Sequence, residues 1–202
     1  MKTKITLFAI VVLFTNVLKA QNTPQDFFSR SYAYEKALNY QGAITMIQSI
    51  YQPTSYEMNL RLGYLHYLSA KYADAISYYE KAINIMPNSI EARLGYILPA
   101  AATDKWDDVV KQYNAILVIE PRNSYVNYNL ATIHYNRKNY TEAYKHFEIV
   151  YNLYPFDYGD MLMFAWSNYQ VGKAKEAKVL FEKVLLISPY DKSAMDGLAR
   201  IK

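Results

Sequence analysis

Three histidines, His66, His134 and His146, are the side chains of this 202-residue chain best suited to hold a metal or move a proton near neutral pH. Their spacing argues against both roles. His66 and His134 lie 68 residues apart at matching places of the internal repeat described below, and His146 falls on a different predicted helix. Each is expected to pack between helices. Asp104, Asp107 and Asp108 cluster at a predicted turn and helix start, where carboxylates favour the positive end of the helix dipole. With no cysteine there is no thiol nucleophile, disulfide or Cys-ligated zinc. A glycine-rich phosphate loop, a G-x-S-x-G elbow and an H-E-x-x-H pair are also missing. The sequence therefore assigns no catalytic, cofactor or metal residues, and the expectation is a protein that is not an enzyme.

The amino end reads as an export leader. Lys2 and Lys4 precede an apolar run from Ile5 to Leu18, and Ala20 offers a cleavage point before Gln21. The run is shorter than the roughly 18–20 residues that cross a bilayer, so no transmembrane span is expected once residues 1–20 leave. Retention of the leader would make it an anchor instead. The whole chain carries a formal charge of +4, but losing Lys2, Lys4 and Lys19 takes Lys+Arg from 22 to 19 against 18 Asp+Glu. That balance, near +1 and with no basic cluster, excludes the electrostatic footprint of a nucleic-acid binder. Export without cysteine points to a bacterial envelope, periplasmic or secreted. Asn139-Tyr140-Thr141 would be a glycosylation acceptor in a eukaryotic route.

What could position any functional side chain is a repeat. Pro53, Pro87, Pro121, Pro155 and Pro189 fall at intervals of 34 residues. Between them recur an aromatic (Tyr40, Tyr72, Trp106, Tyr140), a small residue (Ala43, Ala75, Val109, Ala143, Ala177) and a larger apolar one (Ile47, Tyr79, Tyr113, Phe147, Phe181). A fixed period of this length marks stacked two-helix units, all α, in which proline ends one unit and small residues permit close helix crossings. The units run approximately 24–55, 56–89, 90–123, 124–157 and 158–191, within one domain spanning 22–202. The first copy is degenerate, and residues 192–202 start another helix that caps the last unit. Pro99 interrupts a predicted helix, which implies a kink absorbed at Gly95 or a two-residue shift of register.

Leu62-Gly63, Tyr72, Ala75, Tyr79, Ala82 and Pro87 resemble the tetratricopeptide repeat, as do Leu130-Ala131, Tyr140, Ala143, Phe147, Val150 and Pro155. The resemblance implies a right-handed α-solenoid of about five hairpins plus a C-terminal capping helix. It further implies that partners bind in the concave groove lined by the first helix of each unit.

Carried onto this chain, that face offers Leu60, Tyr64, Tyr67 and Leu68, then Leu94, Leu98 and Ala101, then Tyr125, Tyr128, Tyr135 and Asn136. Leu162, Trp166, Tyr169 and Gln170 follow, with Phe28 and Tyr32 from the degenerate first copy. Such a groove is expected to be aromatic and nearly uncharged. Its candidate partner-binding residues are Tyr64, Tyr67, Tyr125, Tyr128, Tyr135, Trp166 and Tyr169, with Tyr72 and Tyr140 holding the hairpins together. Half-buried core packing is the competing reading for each tyrosine, because the ring packs while the hydroxyl stays wet. The family's carboxylate-clamp variant is not expected, since Leu60, Tyr64, Gly95, Tyr125 and Asn129 stand where its cationic and amide side chains would be. The expected function is a scaffold holding a protein or peptide segment, in an envelope complex. A carbohydrate or peptidoglycan-strand binder and an accessory subunit of an envelope enzyme or secretion complex are the alternatives.

Overall fold

Two residues after each repeat proline stands a side chain that starts a helix. Ser55, Ser89, Asn123, Asp157 and Asp191 each accept a hydrogen bond from the backbone N–H three residues on, at 2.7–3.2 Å. These caps satisfy a donor that the helix itself leaves open. Thr23 does the same for the first helix and completes a capping box with Asp26. The computed structural model describes residues 23–201, so the leader expected over residues 1–20 lies outside the described residues.

Eleven helices and no strand occur among the described residues. They are α1 Pro24–Lys36, α2 Tyr40–Gln48, α3 Tyr56–Leu68, α4 Tyr72–Ile85, α5 Ile90–Ala102 and α6 Trp106–Ile119. Then come α7 Ser124–Asn136, α8 Tyr140–Leu153, α9 Tyr158–Gln170, α10 Ala174–Ile187 and α11 Lys192–Arg200. Among them none is long and apolar enough to cross a membrane.

The turn inside each hairpin is equally regular. Leu38, Ala70, Asp104, Lys138 and Gly172 take positive φ, from 56° to 83°. The residue after each donates its N–H to the carbonyl five positions back, at 2.9 Å in all five turns. That is the Schellman closure, which satisfies carbonyls at the helix end and reverses the chain within three residues.

The chain divides into two compact units between Trp106 and Asp107. In the first, α2 packs on α3, α3 on α4, and α4 on α5, so the second helix of a hairpin lies between two first helices. Its core is Ala43, Ile44, Ile47, Met58, Leu62 and Leu65, extended by Ala75, Tyr79 and Ala82. Tyr79 is wedged between α3 and α5: a Cβ on Gly63 would stand 3.0 Å from its ring, and one on Gly95 only 2.2 Å. In the second unit α8 packs on α7 and α9, and α10 on α9 and α11. Phe147, Phe164, Phe181, Ala165 and Ala177 centre its core. Gly197 of α11 receives Phe181 as Gly95 receives Tyr79, its added Cβ falling 2.4 Å from the ring.

Pro99 does not shift the register. Helix α5 runs through it at the same 13-residue length as α3, α7 and α9, and Ser89 and Asp104 keep their repeat positions. Gly95 serves the close approach of Tyr79. Thr103 then donates its hydroxyl to Pro99 O at 2.9 Å and closes the helix end.

Candidate interaction grooves

In the first unit the exposed faces of α1, α3 and α5 enclose a groove of about 630 Å³. Helix α1 contributes Phe28, Tyr32 and Glu35, and α3 contributes Tyr56, Glu57, Leu60, Arg61 and Tyr64. Glu91, Gly95 and Leu98 come from α5, and Tyr79 rises from α4. The rings present real surface, with Tyr32 56% and Tyr64 38% exposed.

Arg61 is buried and fully used. Its Nη1 meets Glu35 Oε2 at 2.5 Å, and its Nε and Nη2 donate to the buried Ser31 hydroxyl. Its guanidinium carbon stands 3.9 Å from the centroid of the Tyr32 ring. Across the groove the Tyr56 hydroxyl lies 2.7 Å from Ser89 Oγ and donates to Glu91 Oε2 at 3.3 Å. The Glu57 carboxyl is held below its ordinary range by a backbone N–H and by the Ser55 hydroxyl, which donates to it at 2.9 Å. It is an anion at neutral pH.

Two hollows of the second unit are lined by sequence-predicted residues. One, of about 650 Å³, lies between α7 and the loop entering α9, with Tyr125, Tyr128, Tyr154 and Phe156 as rings and Asp157 and Asp160 as charges. Tyr125 and Phe156 are 56% and 75% exposed. Tyr128 meets the core ring of Phe147 edge-on at 5.7 Å, and burial raises its hydroxyl pKa, with Asp160 and Asp157 adding to the effect. Burial, then the neighbouring Asp157, pushes the Asp160 carboxyl up to about 6. The other hollow, of about 380 Å³, is lined by Tyr135, Met163, Trp166 and Arg200, among others. There Trp166 donates its Nε1–H to Ser193 of α11 at 2.8 Å and meets Phe181 edge-on at 5.0 Å.

The sequence-predicted residues thus reach different surroundings. Tyr64 lines the groove of the first unit, Tyr125 and Tyr128 the larger hollow of the second, and Tyr135 and Trp166 the smaller one. Tyr67 packs on Tyr72 at 6.0 Å, and Tyr135 on Tyr140 at 5.2 Å, so both touch the aromatics that brace the hairpin turns. Tyr169 sits edge-on to Trp166 at 5.8 Å.

The expectation of a nearly uncharged groove is corrected. Glu35, Glu57 and Glu91 line the first unit's groove, and Asp157 and Asp160 the larger hollow of the second. Of these, Glu57, Glu91 and Asp160 stand in the first turn of a helix, where side chains lean back toward the N-terminus and over the groove edge. The recurring Pro-x-[Ser/Asn/Asp] step was the sequence signal for that edge.

The histidines pack. His66 stacks on Tyr78 at 5.2 Å and His134 on His146 at 6.0 Å, while the His146 Nδ1 lies 2.8 Å from Asn127 Oδ1. Asn127 Nδ2 already donates to the carbonyls of Pro121 and Asn123, leaving its oxygen to accept from His146. Among the described residues no group of three His, Asp or Glu converges as metal ligands.

Family models for the tetratricopeptide repeat match residues 57–89 and again residues 125–157. These are the hairpins α3–α4 and α7–α8 with their following turns. Among solved structures, a tetratricopeptide repeat protein from Parabacteroides merdae ATCC 43184 is similar with a TM-score of 0.71 at 16% identity, covering 88% of this chain and 71% of that one. MamA protein is similar at 0.68 and 16%, covering 82% and 93% of the two chains. A MamA structure labelled AMB-1 gives 0.68 at 19%, covering 84% and 94%. No curated protein sequence matches significantly. The class is an all-α helical-repeat solenoid. Within it, the hairpins α3–α4 and α7–α8 of this chain match the tetratricopeptide repeat.

Proposed function

We propose that the protein is a non-catalytic interaction scaffold that holds a segment of a partner protein against the first helices of its hairpins. One observation carries the reading: in each compact unit exposed rings on or beside a first helix lie in a hollow large enough for a peptide, Tyr32 and Tyr64 in the first unit and Tyr125 and Phe156 in the second. Aromatic side chains anchor interfaces because they bury much area at little cost in conformational entropy. Lys2, Lys4 and the apolar run Ile5–Leu18 support reading residues 1–20 as an export leader and the scaffold as one of a bacterial envelope; an N-terminal Gln21 in the mature protein, read by mass spectrometry, tests that part.

Co-purification from envelope extract tests the function. A stoichiometric protein partner lost from both Tyr64→Ala and Tyr125→Ala supports the scaffold. Retention of glycan strands by those rings would make it a carbohydrate binder instead. An associated hydrolase or secretion component would make it an accessory subunit.

A further inference from the structure

The groove of the first unit carries an excess of negative charge that the ion pairs among the described residues do not neutralise. Three carboxylates line it, Glu35, Glu57 and Glu91, against a single cation, Arg61. Arg61 is consumed by Glu35 and Ser31. Neither Glu57 nor Glu91 forms an ion pair among the described residues. Three other cations of the unit have partners outside the groove: Lys71 donates to Gln41, Lys81 stands over the Tyr78 ring, and Arg93 donates to the Pro87 carbonyl.

Arg61 also displays how this wall receives a cation. Its guanidinium carbon stands over the Tyr32 ring while its Nη1 meets the Glu35 carboxylate, so a ring and an acid receive one cation together. A ring and two further carboxylates line the same groove. Tyr64 presents an exposed ring, Tyr56 orients Glu91 through its hydroxyl, and Glu57 is kept ionised by Ser55. Leu60 and Leu98 supply apolar wall between these polar points.

We infer that the first unit's groove binds an extended peptide segment in which Lys or Arg alternates with apolar residues, the cations falling on Glu57 and Glu91 and against Tyr64. This inference rests on the scaffold reading and adds the chemistry of the partner. A cationic chain is steered by the acidic rim and anchored by the rings, while an acidic chain meets like charge.

Fluorescence anisotropy on the full chain tests it, with three labelled decapeptides that alternate leucine with arginine, glutamine or glutamate. The arginine peptide is expected to bind at least tenfold tighter than the glutamine one, and the glutamate peptide not at all. E57Q/E91Q should weaken the arginine peptide about tenfold and leave the glutamine peptide unchanged. Both carboxylates are exposed, and a matching thermal melt confirms that the double variant folds. Raising salt on the wild-type chain gives an independent reading, since screening should weaken the arginine peptide alone. Equal binding of the arginine peptide to wild type and E57Q/E91Q, or affinity without salt dependence, overturns the inference. If all three peptides bind alike and Tyr64→Ala abolishes them, the groove reading survives and its cationic preference falls. If none binds, both fall.

Discussion

At His66 the ring is 6% exposed and stacked on Tyr78, and neither nitrogen has a hydrogen-bond partner among the described residues. Asp74 stands 3.6 Å from its Nδ1, too far to satisfy it. Burial lowers the pKa of His66, and likewise of His134 and His146. These bases hold fewer protons folded than unfolded, so the stability they contribute is present above about pH 6.5 and lost as pH falls below it. Exchanging His66→Phe keeps the ring contact and removes two unsatisfied buried atoms. We expect a gain of about 1–2 kcal/mol at pH 7 and a flatter melting profile toward pH 5, measured by thermal melts across that range. Asp160 acts in the opposite sense. Folded, it keeps its proton up to about pH 6, whereas unfolded it gives it up near 4, so stability declines as pH rises through that window. Carbon NMR should find the Asp160 carboxyl titrating at about 6. Asp157→Asn keeps the helix cap while removing the like charge, so that titration should move downward but not reach the ordinary value, because burial is the larger cause.

The two kinds of turn set the elements. Side-chain caps start each first helix, while a left-handed residue closes it. Only Gly172 meets that conformation without a steric cost; Ala70 and Lys138 adopt it with a Cβ, at a cost of roughly 1 kcal/mol. Ala70→Gly and Lys138→Gly should each raise stability by about 1 kcal/mol in urea denaturation, and Gly172→Ala should lower it by as much. At Gly95 the sign reverses, because a Cβ there would strike Tyr79 at 2.2 Å. Gly95→Ala should cost about 1–3 kcal/mol, the range for overpacked cores. The hairpins were legible because proline, small residue and aromatic recur at one interval. The acidity of the groove was not, because Glu57 and Glu91 lie far apart in sequence and only the packing of α3 beside α5 brings them to one rim.

For a chain built of repeats, stability is nearly a sum over neighbours, so an end repeat depends on its cap. Helix α11 supplies that cap in the second unit: Gly197 and Ala194 cover Phe181, and Ser193 accepts from Trp166. Ending the chain after Asp191 would bare Phe181 and part of Trp166. We expect a loss of about 3 kcal/mol on the scale of burying one large aromatic side chain. Hydrogen exchange should then show α9 and α10 opening before the rest.

The 34-residue period, the all-α class and the absence of catalytic motifs follow from the sequence alone, because proline, small residues and aromatics act locally and repeat. Tertiary structure decided which tyrosines are surface and which are core. Tyr125 and Tyr128 stand three residues apart on α7, yet Tyr125 remains 56% exposed while Tyr128 packs against Phe147. Tyr64 opens on a groove, and Tyr67, one turn on, closes against Tyr72. A tyrosine carries both an apolar ring and a hydrogen-bonding hydroxyl, so its own chemistry suits either place, and only the neighbouring helix settles which one it takes.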